Sequence, residues 1–434
     1  MQEIIQAVLN YAGESLIIFV SYASSYFIYA LPVVLVFIFL HVWVTYRREQ
    51  FLVSRKYVLL QVQVPRDVPK SPLAMEIVLG TFHQTFGETT WYDRYILGKA
   101  RSHFSLEIVS NEGDVRFIIW TNDASRKFIE TQIYSQYPNA EIKVVPDYTA
   151  DIPYAAEGSD WDLFGVEWEL SKPDPYPIKT YIDYGLEKDP KEEFKVDPML
   201  SVLEWLGDMG RGEQGWLQII VRANKGKRDF TTSWRNRDWQ AEGKQLIEQI
   251  IEDSKKRGGE FDPAVGADFR YSNLTEGERD IIKALTRSVG KHGFDCGIRS
   301  MYLAKKNVYN PANVAGLFGT FKQYSSNTLN GFKPRDMTKY DYPWQEYINF
   351  PKDDLPMRIP FFSPSGLRGE YRKWKYFDAY RRRSWFFPPY ERKPFVLNAE
   401  ELATIYHFPG QVAETPTFKR IESIKAEPPP NLPI

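Results

Sequence analysis

Between Leu16 and Tyr46 no position carries a charge, and from Tyr26 to Val44 (YFIYALPVVLVFIFLHVWV) nearly every one is apolar. A hydrocarbon core of about 30 Å takes roughly 20 such residues in a helix, and a helix satisfies its own backbone in lipid. The pattern predicts one transmembrane span over about residues 26–46, with Pro32 tolerated inside it and Trp43 and Tyr46 at interfacial depth. Ile4, Ile5, Val8 and Leu9 share one helical face within Met1–Tyr11, which suits a short helix lying on the membrane surface. Only Glu3 and Glu14 precede the span, whereas Arg47, Arg48, Arg55 and Lys56 follow it. Basic flanks stay cytoplasmic. The expectation is a single-pass protein of the inner or plasma membrane, N-terminus outside and bulk cytoplasmic.

After this anchor segment (1–50) the period shortens. Tyr57–Val64 ends in alternation and predicts a strand, and Pro72 suits the first turn of a helix through Phe82. Phe104–Val109 and Val115–Trp120 flank the turn Asn111-Glu112-Gly113 as a hairpin. Asn122 or Asp123 can cap a helix to Tyr137, and Ala140–Val145 closes the set. The order β-α-β-β-α-β over 51–150 is the split βαβ, ferredoxin-like plan.

A second α+β unit is predicted over 151–330. Its strands are Trp161–Leu170, Trp216–Arg222 and Phe294–Leu303, and Asp162, Glu167 and Glu169 read as the wet face of the first. Helices are expected after Asp197-Pro198, from Trp239 to Lys256, after the capping box Thr275/Glu278, and after Asn310-Pro311. Gly207–Gly215 follows a helix and opens a strand, the reverse of a dinucleotide loop, so it is a turn. The expected class is α+β: one transmembrane helix, then two ferredoxin-like units, the second expanded by an insertion at 226–273.

From 331 to 434 regular patterning fades and prolines recur, so an irregular basic/aromatic and Pro-rich tail is expected. Within it Arg368–Lys393 (RGEYRKWKYFDAYRRRSWFFPPYERK) is strongly basic. Arg372, Lys373, Lys375, Arg381, Arg382, Arg383 and Trp385 could follow a single-stranded nucleic acid or anionic lipid heads. They could equally pack on the protein's own acidic loops or on a partner, the preferred reading. Asn398 can cap a short helix, Ala399–Tyr406, before an extended proline-rich end.

Composition narrows function more than it defines it. A net charge of -1 argues against general affinity for nucleic acid. The lone Cys296 excludes an internal disulfide and a Cys-rich zinc site, and reads as a small buried residue. Gly316–Lys322 (GLFGTFK) lacks phosphate-loop spacing, no G-x-S-x-G occurs, and His41, His83, His103, His292 and His407 stand apart in the sequence. No catalytic residue, metal or cofactor is expected.

The segment Phe395–Ile434, with Gln132–Ile142 (QIYSQYPNAEI) and Lys195–Ala223, carries a resemblance. It is similar to the half that precedes the nucleotide-binding core in VirB4/TraC and HerA-FtsK-like conjugation and type IV secretion ATPases, and most of all to a DUF8128-like family of uncharacterised bacterial membrane proteins. The resemblance implies a non-enzymatic, membrane-anchored platform that docks a separately encoded VirB4/HerA-like P-loop ATPase. The docking residues it suggests are Leu402, Tyr406, Phe408, Pro429 and Pro430. A homo-oligomer is compatible with this reading, and nucleic acid as a partner is not favoured.

Overall fold

The structure, a computed structural model, describes residues 31–65, 70–85, 90–154, 158–186, 196–225, 238–257, 274–339 and 367–410, with Tyr29 and Gly87. The surface helix expected at Met1–Tyr11, most of the insertion outside 238–257, and the proline-rich end lie outside the described residues. The chain divides into two compact units, residues 1–55 with 87–100, and residues 56–86 with 101–434.

The first unit is built on α1, Leu31–Val53, a helix long and apolar enough to cross a membrane. Only 6% of its apolar window is buried, which sets it apart from the core helix of a soluble domain. The same unit holds a five-residue helix, α3 (Trp91–Tyr95).

The second unit is one antiparallel sheet. Its strands are β1 Tyr57–Gln63, β2 Phe104–Asn111, β3 Asp114–Asn122, β4 Glu141–Val145, β5 Trp161–Leu170, β6 Glu213–Ala223, β7 Gly293–Lys305, β8 Phe332–Met337 and β9 Phe395–Asn398. Their order is β4-β1-β3-β2-β6-β7-β5-β8, with β9 paired to β7. Two separate sheets were expected. They are continuous because β2 and β6 pair in register from Phe104↔Val221 to Asn111↔Gln214, and unpaired edge strands seek such partners.

Alternation along each strand divides the sheet into two faces. One is apolar: Leu60, Leu106, Phe117, Val166, Ile219 and Ile298 meet five helices. These are α2 (Leu73–Thr81), α4 (Arg126–Gln136), α5 (Leu200–Gly207), α8 (Pro311–Lys322) and α10 (Ala399–Ile405). Their starts are specified locally. Asn310 accepts from Ala312 N with Pro311 behind it, and Asn398 and Glu401 form a full capping box. Beside the sheet, α6 (Trp239–Arg257) and α7 (Glu276–Val289) occur as the period predicted, the latter with the Thr275/Glu278 box complete.

The tail is the main correction. Residues 367–381 form a helix, α9, and 395–405 supply β9 and α10, so much of the expected irregular segment belongs to the sheet. Phe377 and Tyr380 on α9 cover Trp120, Trp216, Met301 and Leu303 on the second face. That aromatic mass was visible in the sequence, but its partners lie far away along the chain.

Gly297 on β7 shows how close this cover comes. A Cβ there would overlap the Trp385 indole. Gly297→Ala is expected to cost about 1–3 kcal/mol, as overpacking does. Gly319→Ala, in helix α8 with nothing near its Cβ, is expected to gain up to about 1 kcal/mol from helix propensity. Urea unfolding of the detergent-solubilised chain, followed by tryptophan fluorescence, reads both signs.

Candidate functional site

On the second face, four neighbouring strands place one polar side chain each at the same level. Glu107 (β2) faces Gln218 (β6), Gln218 faces Arg299 (β7), and Arg299 faces Glu167 (β5). With strands about 4.8 Å apart, the row runs roughly 14 Å across the sheet. All four are at most 2% exposed. Charges so buried must be paired and hydrogen-bonded. Gln218 Nε2 donates to Glu107 Oε1 at 3.0 Å, Ser105 Oγ donates to the same oxygen at 2.8 Å, and Arg299 Nε donates to Glu167 Oε1 at 3.0 Å.

The remaining partners come from the segment after α9. The helix closes with Ser384 N donating to Ala379 O at 3.1 Å and Arg383 N to Tyr380 O at 3.0 Å, a Schellman arrangement that usually puts glycine at its left-handed position. Here that position is Arg383, at φ 50°. A non-glycine residue there costs about 1–2 kcal/mol. The conformation aims the guanidinium at Glu107, at 3.1 and 3.2 Å, and at Asp147. Tyr148 Oη donates to Glu107 Oε2 at 2.9 Å and lies 2.8 Å from Tyr380 Oη.

At the other end, Arg299 donates to the α9-terminal carbonyls of Ala379 (3.2 Å) and Ser384 (2.7 Å), with Trp385 stacked 4.6 Å from its guanidinium. A cation suits a helix C-terminus and an indole face. Arg392 reaches Glu167 Oε2 at 3.3 Å. Burial opposes the charge on Glu167 and Asp147. Even so, Arg299 and Arg392 beside the first, and Arg383 beside the second, hold both below the usual carboxylate range. Burial likewise opposes the Arg383 charge, and Glu107 with Asp147 more than offsets it. Each end of the row is thus closed by an arginine of the C-terminal segment. Chemically, the arrangement can clamp that segment to the sheet.

This places most of the basic stretch inside the protein. Arg372 is buried on Asp336, and Lys373 bridges Asp162 (2.6 Å) and Glu370 (2.9 Å). Lys375, Arg383 and Trp385 are buried. Arg381 and Arg382 are half exposed, at 50% and 53%, and share Asp378. Among the suggested docking residues, Leu402, Tyr406 and Phe408 are core, at most 2% exposed, so they offer no face to a partner. Pro429 and Pro430 lie outside the described residues.

Two local readings also change. Glu167, expected on a wet face, is buried beneath Arg392 and Arg299. Histidines distant in sequence meet: His83 stacks on His292 with ring centroids 4.7 Å apart, and His407 lies 3.2 Å from Asp197. Cys296 is buried, and burial pushes its thiol well up. Among the described residues, no group of three or more His, Cys, Asp or Glu side chains could hold a metal ion.

A family model described as a domain of unknown function, DUF8128, matches residues 53–348, more than half of the chain. The chain belongs to this family. No curated protein matches it. The DUF8128 match takes in β1–β8 and so all four residues of the row, while Arg383 and Arg392 lie beyond it.

Glu107 and Gln218 escaped the sequence reading because alternation marks two faces without saying which is wet. A signal existed: Trp120, Trp216 and Met301 share the face with them, an odd company for solvent. Arg383→Met should leave Glu107 charged and uncompensated, costing about 3–5 kcal/mol. Adding Glu107→Gln should recover most of it, and urea unfolding of the two variants checks the cycle.

His103 gives a pH signature. Burial first, then the Arg222 charge, lowers it to about 4, so the fold holds the neutral ring among Tyr57, Trp120, Phe386 and Phe387. A base lowered in this way contributes stability above its unfolded value of 6.5, and the contribution drains as pH falls from there toward 4. His103→Phe should flatten that loss, as measured by melting temperature across the window.

Proposed function

We propose that this chain is a membrane-anchored, non-catalytic platform that docks a separately encoded P-loop ATPase, in a machine resembling type IV secretion or conjugation systems. The observation that carries the reading is the way the C-terminal segment is built in. β9 pairs with β7 from Gly293↔Asn398 to Cys296↔Phe395, and α10 is wholly buried behind it. Glu400 on α10 is gripped by Arg287 (3.1 Å) and Lys291 (2.8 Å). The chain beyond Gly410, the part resembling the lead-in to an ATPase core, therefore starts from a rigid base. At the other end, α1 supplies the anchor, and Arg47, Arg48, Arg55 and Lys56 favour its C-terminal side as the cytoplasmic one.

We also read the sheet as two ferredoxin-like units joined edge to edge. The order β4-β1-β3-β2 is that of the split βαβ plan, and β6-β7-β5-β8 repeats it in mirror sequence. Such a double unit gives a broad, stiff surface for protein contacts.

The test is affinity purification in mild detergent, comparing the full chain with one ending at Gly410. Ending earlier, near Pro394, would remove core strand β9 and helix α10. The platform reading expects a P-loop ATPase with the full chain and its loss on truncation. An ATPase found with neither form overturns the reading, and one retained by both moves the dock away from residues 411–434.

A further inference from the structure

The first unit contains a feature that its anchor alone does not explain. Beyond α1, in the rest of the described chain after Val53, Trp91 is the most exposed large apolar side chain, at 69%, and its neighbour Tyr92 is 50% exposed. Both stand on α3. Two isolated rings in water would be unremarked, but these are fixed at a particular depth along α1.

Two hydrogen bonds set that depth. Trp43 Nε1 donates to Tyr95 O at 3.1 Å, and Arg47 Nε donates to Ile96 O at 2.8 Å. Gly98, at φ +64°, lets the returning chain lie against α1, since a Cβ there would collide with the Arg47 backbone. Trp43 and Arg47 are one helical turn apart, about 6 Å along the axis. The uncharged run ends between them, at Tyr46. Counting back roughly 20 residues for a hydrocarbon core puts this turn at the membrane–water boundary, where tryptophan and tyrosine concentrate.

α3 is equipped for such a layer. Thr90 Oγ1 accepts from Asp93 N at 3.1 Å, Ile96 N donates to Tyr92 O at 3.0 Å, and Lys99 N donates to Asp93 O at 2.8 Å. Several backbone polar groups that lipid would leave stranded are thus engaged. The acidic side chain Asp93 is neutralised by Lys99 at 2.7 Å, so it does not oppose anionic headgroups.

We propose that residues 90–100 form a second membrane contact, with Trp91 and Tyr92 seated in the lipid headgroup layer at the C-terminal end of α1. The span then meets the bilayer as a helix with a lateral foot, which resists tilting and sliding along the membrane normal. This inference rests on the membrane reading of α1, and the experiment separates the two.

The full chain carrying Cys296→Ala receives either Trp91→Cys or Phe37→Cys. Each is labelled with an NBD fluorophore and reconstituted in phosphatidylcholine/phosphatidylglycerol nanodiscs. Quenching is compared for headgroup-linked nitroxide lipid, mid-chain nitroxide lipid and an aqueous quencher, with NBD-cysteine free in solution as the water reference. The expected result is that mid-chain nitroxide quenches the label at 37. At 91 the headgroup nitroxide should quench most, with aqueous quenching several-fold below the reference. A deep label at 37 with a label at 91 as open to water as the reference overturns the foot and leaves the span standing. A label at 91 shielded from water and lipid alike also overturns it, pointing to a protein cover. A label at 37 that no lipid nitroxide reaches overturns both.

Discussion

The pairing of β2 with β6 is the constraint on which the second unit depends. It joins strands more than a hundred residues apart through the register Phe104↔Val221 to Asn111↔Gln214. Without it each half would end in an open edge, the usual template for unwanted association. With it, one apolar face extends under five helices, and the opposite face brings Glu107 beside Gln218 and thence to Arg299 and Glu167. Carboxylates in that position cannot remain buried alone. The arginines that answer them arrive from the far end of the chain, and this is why a helix as polar as α9 lies over a sheet.

The clamp also explains a local oddity. Arg383 occupies a left-handed conformation that glycine would enter without strain. Glycine would close the helix equally well but bring no guanidinium to Glu107 and Asp147. The backbone cost of about 1–2 kcal/mol is smaller than the penalty of leaving a buried carboxylate unpaired, about 3–5 kcal/mol. The balance favours arginine.

How much of this could be read from sequence follows the range of each interaction. The capping box at Thr275/Glu278, the Asn398 cap, the proline after Asn310, and the hairpin turned at Glu112-Gly113 act within a few residues, and they occur where the sequence placed them. The apolar and alternating runs found β1 to β7, whereas β8 and β9 lie in the stretch expected to be irregular. Alternation could not say that Glu167 faces a cover and not water, because the cover is Arg392 and Arg299, 225 and 132 residues away. The stretch Leu367–Arg381 mixes charges and rings without a clear apolar stripe. For these residues and the aromatics that follow them the sequence left a ligand or lipid surface open beside the preferred packing on protein, and Trp385 stacks on Arg299. The burial of Leu402, Tyr406 and Phe408 was hidden for a related reason. A short capped helix near a proline-rich end looks peripheral until β9 pairs with β7 and draws it into the core.

The distance between Glu107 and Arg383 has a consequence in time. They are 276 residues apart, so at about 5–20 residues per second of synthesis the carboxylate waits roughly 14–55 s for its partner. During that interval the apolar helix α1 has already left the ribosome, while the sheet lacks its cover and β7 lacks β9. A nascent chain in this state carries a half-built hydrophobic face beside an unanswered charge. Completion of the sheet is then tied to synthesis of residues 383–398, and a product released earlier has helix α1 without the clamp.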